Sequence, residues 1–297
     1  MKLYTNYWRY FFISAIFLVP AVVALVMFGF QPGIDFTGGT LLTLRASEAS
    51  TAAQLTEENI RTQVGSDYKI ASIKKSEDEQ IILRLAPMDN EQKDGLMAQI
   101  DEKVASVEQV SFEVIGATLG SELVEKTLVA IVLACIILVI YLRVRFDEIS
   151  FGWAAFLGVV HDTLIVCGIF SLLGAYLNIE VDTLFVTALL TTISFSVHDT
   201  VVIYDRIREL KKQFKGATLT QVSEAAVAAT FSRSLNNSLT VVFMLLSLLF
   251  LGGVTLRYFA LALVLGVIFG TYSSPFVSVP LLLLFDDLKR FKKERGK

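Results

Sequence analysis

Cysteine, histidine and charge are all scarce in this chain. Among its 297 residues there are two cysteines, Cys135 and Cys167, and two histidines, His161 and His198. Both cysteines stand inside apolar runs, which argues against a disulfide framework or a thiolate metal site and leaves them as small packing residues. No nucleophile motif accompanies the histidines, so the sequence points away from an enzyme and calls for no metal and no cofactor. Charged residues make up 19% of the chain, below the roughly 25% usual in soluble domains. The net charge of −3 says little as a whole, because charges are sorted by segment. No nucleic-acid partner is expected.

What fills the space is apolar: 54% hydrophobic residues, 22 Phe and a mean hydropathy of +0.61. Crossing a hydrocarbon core about 30 Å thick takes about 20 apolar residues. Six runs approach or exceed that length, near residues 10–30, 127–142, 151–173, 183–204, 234–251 and 258–285. The first run is longer than the apolar part of a signal peptide and no small-x-small cleavage site follows it, so it reads as a retained span. Lys and Arg gather before the first span, between the second and third, between the fourth and fifth, and in the tail, whereas the alternate connections are poor in them. By the positive-inside rule both termini face the cytoplasm and the large polar segment lies outside. The expected division is a cytoplasmic N-terminus with the first span (1–30), an extracytoplasmic domain (31–120), the remaining five helices (121–285) and a basic cytoplasmic tail (286–297).

The polar segment has a pattern of its own. Residues 40–46, 68–74, 80–86 and 107–115 alternate as strands do. Thr56 and Asp89 are placed to cap helices that run to about Val64 and Val104, with Glu57 and Glu58 in a first turn where carboxylates favour the positive helix end. Ser76-Glu77-Asp78-Glu79 reads as a turn between two strands. The order β-α-β-β-α-β is the ferredoxin-like plan. The fold class is therefore an α-helical membrane protein of six spans with a small α+β ferredoxin-like domain.

Ionisable residues stand inside the apolar runs. In Ile193–Glu209, written ISFSVHDTVVIYDRIRE, helical spacing puts Thr192, Ser196 and Asp199 on one stripe. Asp199 lies about 24 Å along the helix from the start of its run at 1.5 Å per residue. In the fifth run Arg233, Asn236 or Asn237, Thr240 and Ser247 form a second polar stripe. If these two helices pack, Asp199 and Arg233 reach similar depth. The third run adds His161 and Asp162 near its middle. A charge at such depth costs about 2.5 kcal/mol or more, so it faces the bundle interior and marks function. Burial and a nearby guanidinium act in opposite directions on a carboxyl group, which suits a group that exchanges protons. His198 is expected to face a neighbouring helix or the lipid interface. Gly152, Gly158, Gly168 and Gly174, with Gly266 and Gly270, permit close helix approach.

Three stretches together resemble the SecF family, the smaller half of the SecDF protein-export accessory. Gly33-Ile34-Asp35-Phe36-Thr37-Gly38-Gly39 looks like its GIDFxGG signature. Ser196–Glu209 resembles its fourth-span motif, with His198 where Asn is common. Phe231–Thr240 resembles its RSLNTSxT motif, with Asn237 where Thr is usual. The resemblance spans essentially the whole chain. It implies the RND superfamily, an inner-membrane location in bacteria, and use of the proton-motive force to help draw preproteins through SecYEG in partnership with SecD, with YajC and YidC as further associates. It also implies that Asp199 and Arg233 carry proton transport. Thr192, Ser196, His198, Asn237, Thr240, His161 and Asp162 are supporting polar residues. Gly33, Ile34, Asp35, Phe36, Gly38 and Gly39 read mainly as a structural joint. The rival reading is half of a heteromeric RND-type exporter of small molecules or lipids, since the same span logic serves both.

Overall fold

A computed structural model describes residues 3–47, 55–65, 68, 70–75, 80–146 and 148–295. In chain order it contains α1 (Trp8–Phe28), α2 (Ile34–Thr37), β1 (Gly39–Ala46), α3 (Glu57–Gln63), β2 (Ile70–Lys75), β3 (Gln80–Leu85), α4 (Asn90–Lys103) and β4 (Val107–Ile115). Then come α5 (Ala117–Arg145), α6 (Ile149–Leu177), α7 (Thr183–Gln213), α8 (Leu219–Leu251), α9 (Val254–Ser273), a π-helical turn (Ser274–Ser278) and α10 (Val279–Arg295). These divide into two units, Pro32–Leu128 and the remainder, with α5 continuing from one into the other.

In the smaller unit the strand order is β2-β3-β1-β4, antiparallel throughout. That is the ferredoxin-like sheet. Alternation explains it: Ile81, Leu83 and Leu85 of β3 are buried while Gln80, Ile82 and Arg84 are not. Leu42 and Leu44 of β1 join them against Ile60 of α3 and Leu96 and Ile100 of α4. Thr56 caps α3 by accepting from the Asn59 amide at 3.3 Å. Asp89 and Gln92 form a reciprocal capping box on α4, at 2.8 and 3.1 Å. The turn expected at Ser76–Glu79 lies outside the described residues.

The glycine-rich joint has a specific geometry. Gly38 and Gly39 take φ of 69° and 137°, conformations that residues with a Cβ rarely adopt. Between Gly33 and Gly38 the chain makes one short helix, α2, and Thr37 donates to the Gly33 carbonyl at 3.0 Å. Arg84 of β3 clasps the joint through Thr37 Oγ1 (2.6 Å) and the Pro32 carbonyl (3.2 Å). A Cβ on Gly120 of α5 would come within 2.8 Å of the Gly38 nitrogen.

Among the described residues six helices are long and apolar enough to cross a membrane. The chain is a multi-pass membrane protein. In this larger unit α6, α7 and α9 form the centre, with α1 against α6 and α8 against α7 and α9. Small residues set the spacing. A Cβ on Gly168 would fall 2.3 Å from Ala21 of α1, and one on Gly266 would fall 2.1 Å from Thr192 of α7. Gly270 packs on Ser196, and Gly158 on Ser278. Gly152 is the exception: a Cβ there would reach only Leu142, at 4.0 Å.

The last span is broken by the π-turn at Ser274–Ser278, which contains Pro275. Two buried tyrosines reach the carbonyls there. Tyr4 donates to Pro275 O at 2.7 Å and Tyr204 to Ser278 O at 2.8 Å. Burial holds the Tyr4 hydroxyl well above the ordinary phenol range, so it stays a donor.

Candidate functional site

Three central helices bring polar side chains together inside the bundle. Asp162 of α6 is 1% exposed. Its Oδ2 accepts from Ser196 of α7 (2.7 Å) and Ser273 of α9 (2.6 Å), and its Oδ1 lies 2.9 Å from Nδ1 of His161. A buried carboxylate needs such donors, because leaving it bare in a medium of low dielectric is costly. His161 is buried as well, and among the described residues its Nε2 has no hydrogen-bond partner. Thr192, one turn from Ser196, is buried against Gly266, its hydroxyl without a partner among the described residues.

Asp199 lies one turn beyond Ser196 and is also buried. Its surroundings differ in kind. Two small cavities adjoin it, and Ser234 of α8 lines one of them. One, about 10 Å³, is lined by Asn237 and Ser238 of α8 and by Gly270 and Thr271 of α9. The other, about 20 Å³, is lined by Thr230 and Ser234 of α8 together with Ser274 and Pro275. A cavity of about 10–15 Å³ or more on this measure admits one water. Hydroxyls continue the polar surface: Thr200 meets Ser274 at 2.9 Å and Ser238 meets Thr271 at 2.6 Å.

Arg233 is not part of this cluster. The expected approach of its guanidinium to Asp199 does not occur: among the described residues no ion pair involves Arg233, and its side chain is exposed. The reason is rotational. Ser234 and Ser238 sit on the inner face of α8, and Arg233 is about 100° round the helix from Ser234. Asn236, Thr240 and Ser247 share the exposed surface, and Thr240 donates to the Asn236 carbonyl of its own helix at 2.8 Å. Asn237 is also exposed yet lines the smaller Asp199 cavity. His198 is exposed. Gly33 to Gly39 belong to the smaller unit.

The sequence reading missed Ser234, Ser238, Thr271, Ser273 and Ser274. The available signal was the run Thr271-Tyr272-Ser273-Ser274-Pro275, three hydroxyls and a phenol before a proline within an apolar span.

Comparison with known proteins then decides the family. Residues 96–287 match the C-terminal family of the protein-export membrane proteins SecD and SecF, and residues 23–49 match the SecD/SecF GG motif. The protein translocase subunit SecF of Thermobaculum terrenum is 34% identical over 94% of this chain and 93% of its own. The chain belongs to the SecF family. The Helicobacter pylori SecF (strain J99) is 33% identical over 99% of this chain and 90% of its own. The crystal structure of SecDF, a translocon-associated membrane protein from Thermus thermophilus, superposes with a TM-score of 0.82 at 32% identity. It covers 95% of this chain, which spans 38% of that longer one. SecF-type and SecD-type halves are thus joined in that relative, which supports a partnership with SecD for chains of this family. SecF relatives are translocase subunits rather than enzymes in the usual sense.

Proposed function

We propose that this SecF-family chain pairs with SecD in the cytoplasmic membrane of a bacterium and helps preproteins leave the SecYEG channel, driven by the proton-motive force. Asp199 carries the proton. The observation behind this reading is its setting: a buried carboxylate with two water-sized cavities beside it. Water reaching those cavities in turn would let the group load and unload. An elementary charge moved across 100 mV releases about 2.3 kcal/mol, enough to bias a two-state helix arrangement. Both termini face the cytoplasm and the ferredoxin-like unit faces outward, in keeping with the Lys- and Arg-rich ends. Arg233 acts from the exposed stripe of α8, which in the assembled complex faces SecD rather than lipid. YajC and YidC are associates by family resemblance alone.

In vesicles carrying the translocon with SecD and this chain, Asp199→Asn should lower gradient-dependent preprotein movement tenfold or more, equivalent to about 1.4 kcal/mol. Full movement under ΔpH with Asn at this position would overturn the reading. Replacing ΔpH by a sodium gradient in the same vesicles identifies the coupling ion.

A further inference from the structure

We propose that the groove between the last turns of α5 and the first turns of α6 binds one anionic phospholipid, an acyl chain lying over Gly152 and the phosphate on Arg143. The groove holds about 150 Å³. Its floor is apolar and tight: Leu142 and Phe146 are 2% and 1% exposed. Its wall is open to the membrane, with Trp153 56% exposed. The space exists because residue 152 has no side chain, and a Cβ there would meet nothing closer than Leu142 at 4.0 Å. An apolar recess of this kind on a membrane span does not hold water, and what the bilayer supplies is hydrocarbon.

Charge selects the headgroup. Arg143 and Glu148 also line the groove. Glu148 is taken by Lys211 at 3.1 Å, and Asp205 is taken by Arg145. Arg208 lies over the Phe146 ring, 5.9 Å from its centroid, and donates to the Arg145 carbonyl at 3.1 Å. Arg143 pairs with no carboxylate among the described residues. It is the cation left to meet a phosphate, and guanidinium–phosphate pairs are strong and directional. Basic pockets between spans are recognised sites for acidic lipid headgroups, and an indole at this level suits the headgroup boundary.

Native mass spectrometry of the full chain, released from detergent with an equal mixture of dioleoyl phosphatidylglycerol and dioleoyl phosphatidylcholine, tests the proposal. One lipid should be retained, with the glycerol headgroup favoured about fivefold, the ratio that about 1 kcal/mol per basic residue corresponds to. Arg143→Gln should bring that ratio close to one while a lipid is still held. Gly152→Leu should lose both lipids. Arg145→Gln, which removes a guanidinium already engaged by Asp205, should keep the preference. Should Gly152→Leu fail to fold, the Arg143→Gln ratio decides alone. Equal retention by the unaltered chain, or a preference that survives Arg143→Gln, would show annular lipid only. Loss of the lipid when SecD is added would show a partner helix in the groove. Each of these results overturns the proposal.

Discussion

Asp162 and Asp199 stand one helix apart and are both buried, yet they are built for different work. Asp162 has its acceptor capacity used by Ser196, Ser273 and His161, so it ties α6, α7 and α9 together. Asp199 has two adjoining cavities, so space is left for water. Asp162→Ala should therefore destabilise the isolated chain by about 3 kcal/mol or more, since three buried donors lose their acceptor at about 1–3 kcal/mol each. Asp199→Asn should leave stability nearly unchanged. Thermal unfolding of the two variants in detergent, followed by circular dichroism, checks the contrast. A carboxylate in an apolar run was legible from sequence for both residues. Which one is saturated was not, because Ser273 lies 111 positions from Asp162 and its role depends on how α9 packs. Arg233 shows the same limit: periodicity groups residues onto a face but does not say which face meets which neighbour.

At the scale of elements, contacts between small residues set how closely the helices lie. Gly168 lets α1 sit on α6, where Ser171 donates to the Ala24 and Gly29 carbonyls at 2.9 and 2.6 Å. Gly168→Ala forces a methyl into Ala21, and overpacking of this kind costs typically about 1–3 kcal/mol. The same thermal scan should show the loss. Gly152→Ala, placed in open space on the same helix, should lose none. Five of the six span glycines that stood out in sequence prove to be close contacts, at Gly158, Gly168, Gly174, Gly266 and Gly270. The α8 stripe was harder to read. Its hydroxyls and amides recur at helical spacing all round, and only the seating of Ser234 and Ser238 distinguishes inside from outside. The π-turn was not legible either. It interrupts a run read as one continuous span, and two of its carbonyls are answered by Tyr4 and Tyr204, far away in sequence. Strands and caps of the smaller unit were plainer, because alternation and Asp89 or Thr56 act locally.

For the whole molecule, the bundle leaves polar surface where lipid would be a poor neighbour. Arg233, Asn236 and Thr240 are exposed on a membrane-spanning helix, and exposing such groups to hydrocarbon is expensive. We propose that a partner's spans cover that face; the longer SecDF relative, of which this chain spans 38%, has further chain beyond the matched part. In the mechanism we propose, one carboxylate, Asp199, is the group that changes charge. The direct measurement is a pH-difference infrared spectrum of the full chain in lipid bilayers. A protonated-carboxyl band should grow on acidification, disappear in Asp199→Asn and persist in Asp162→Asn. A band that Asp199→Asn leaves untouched would contradict the account.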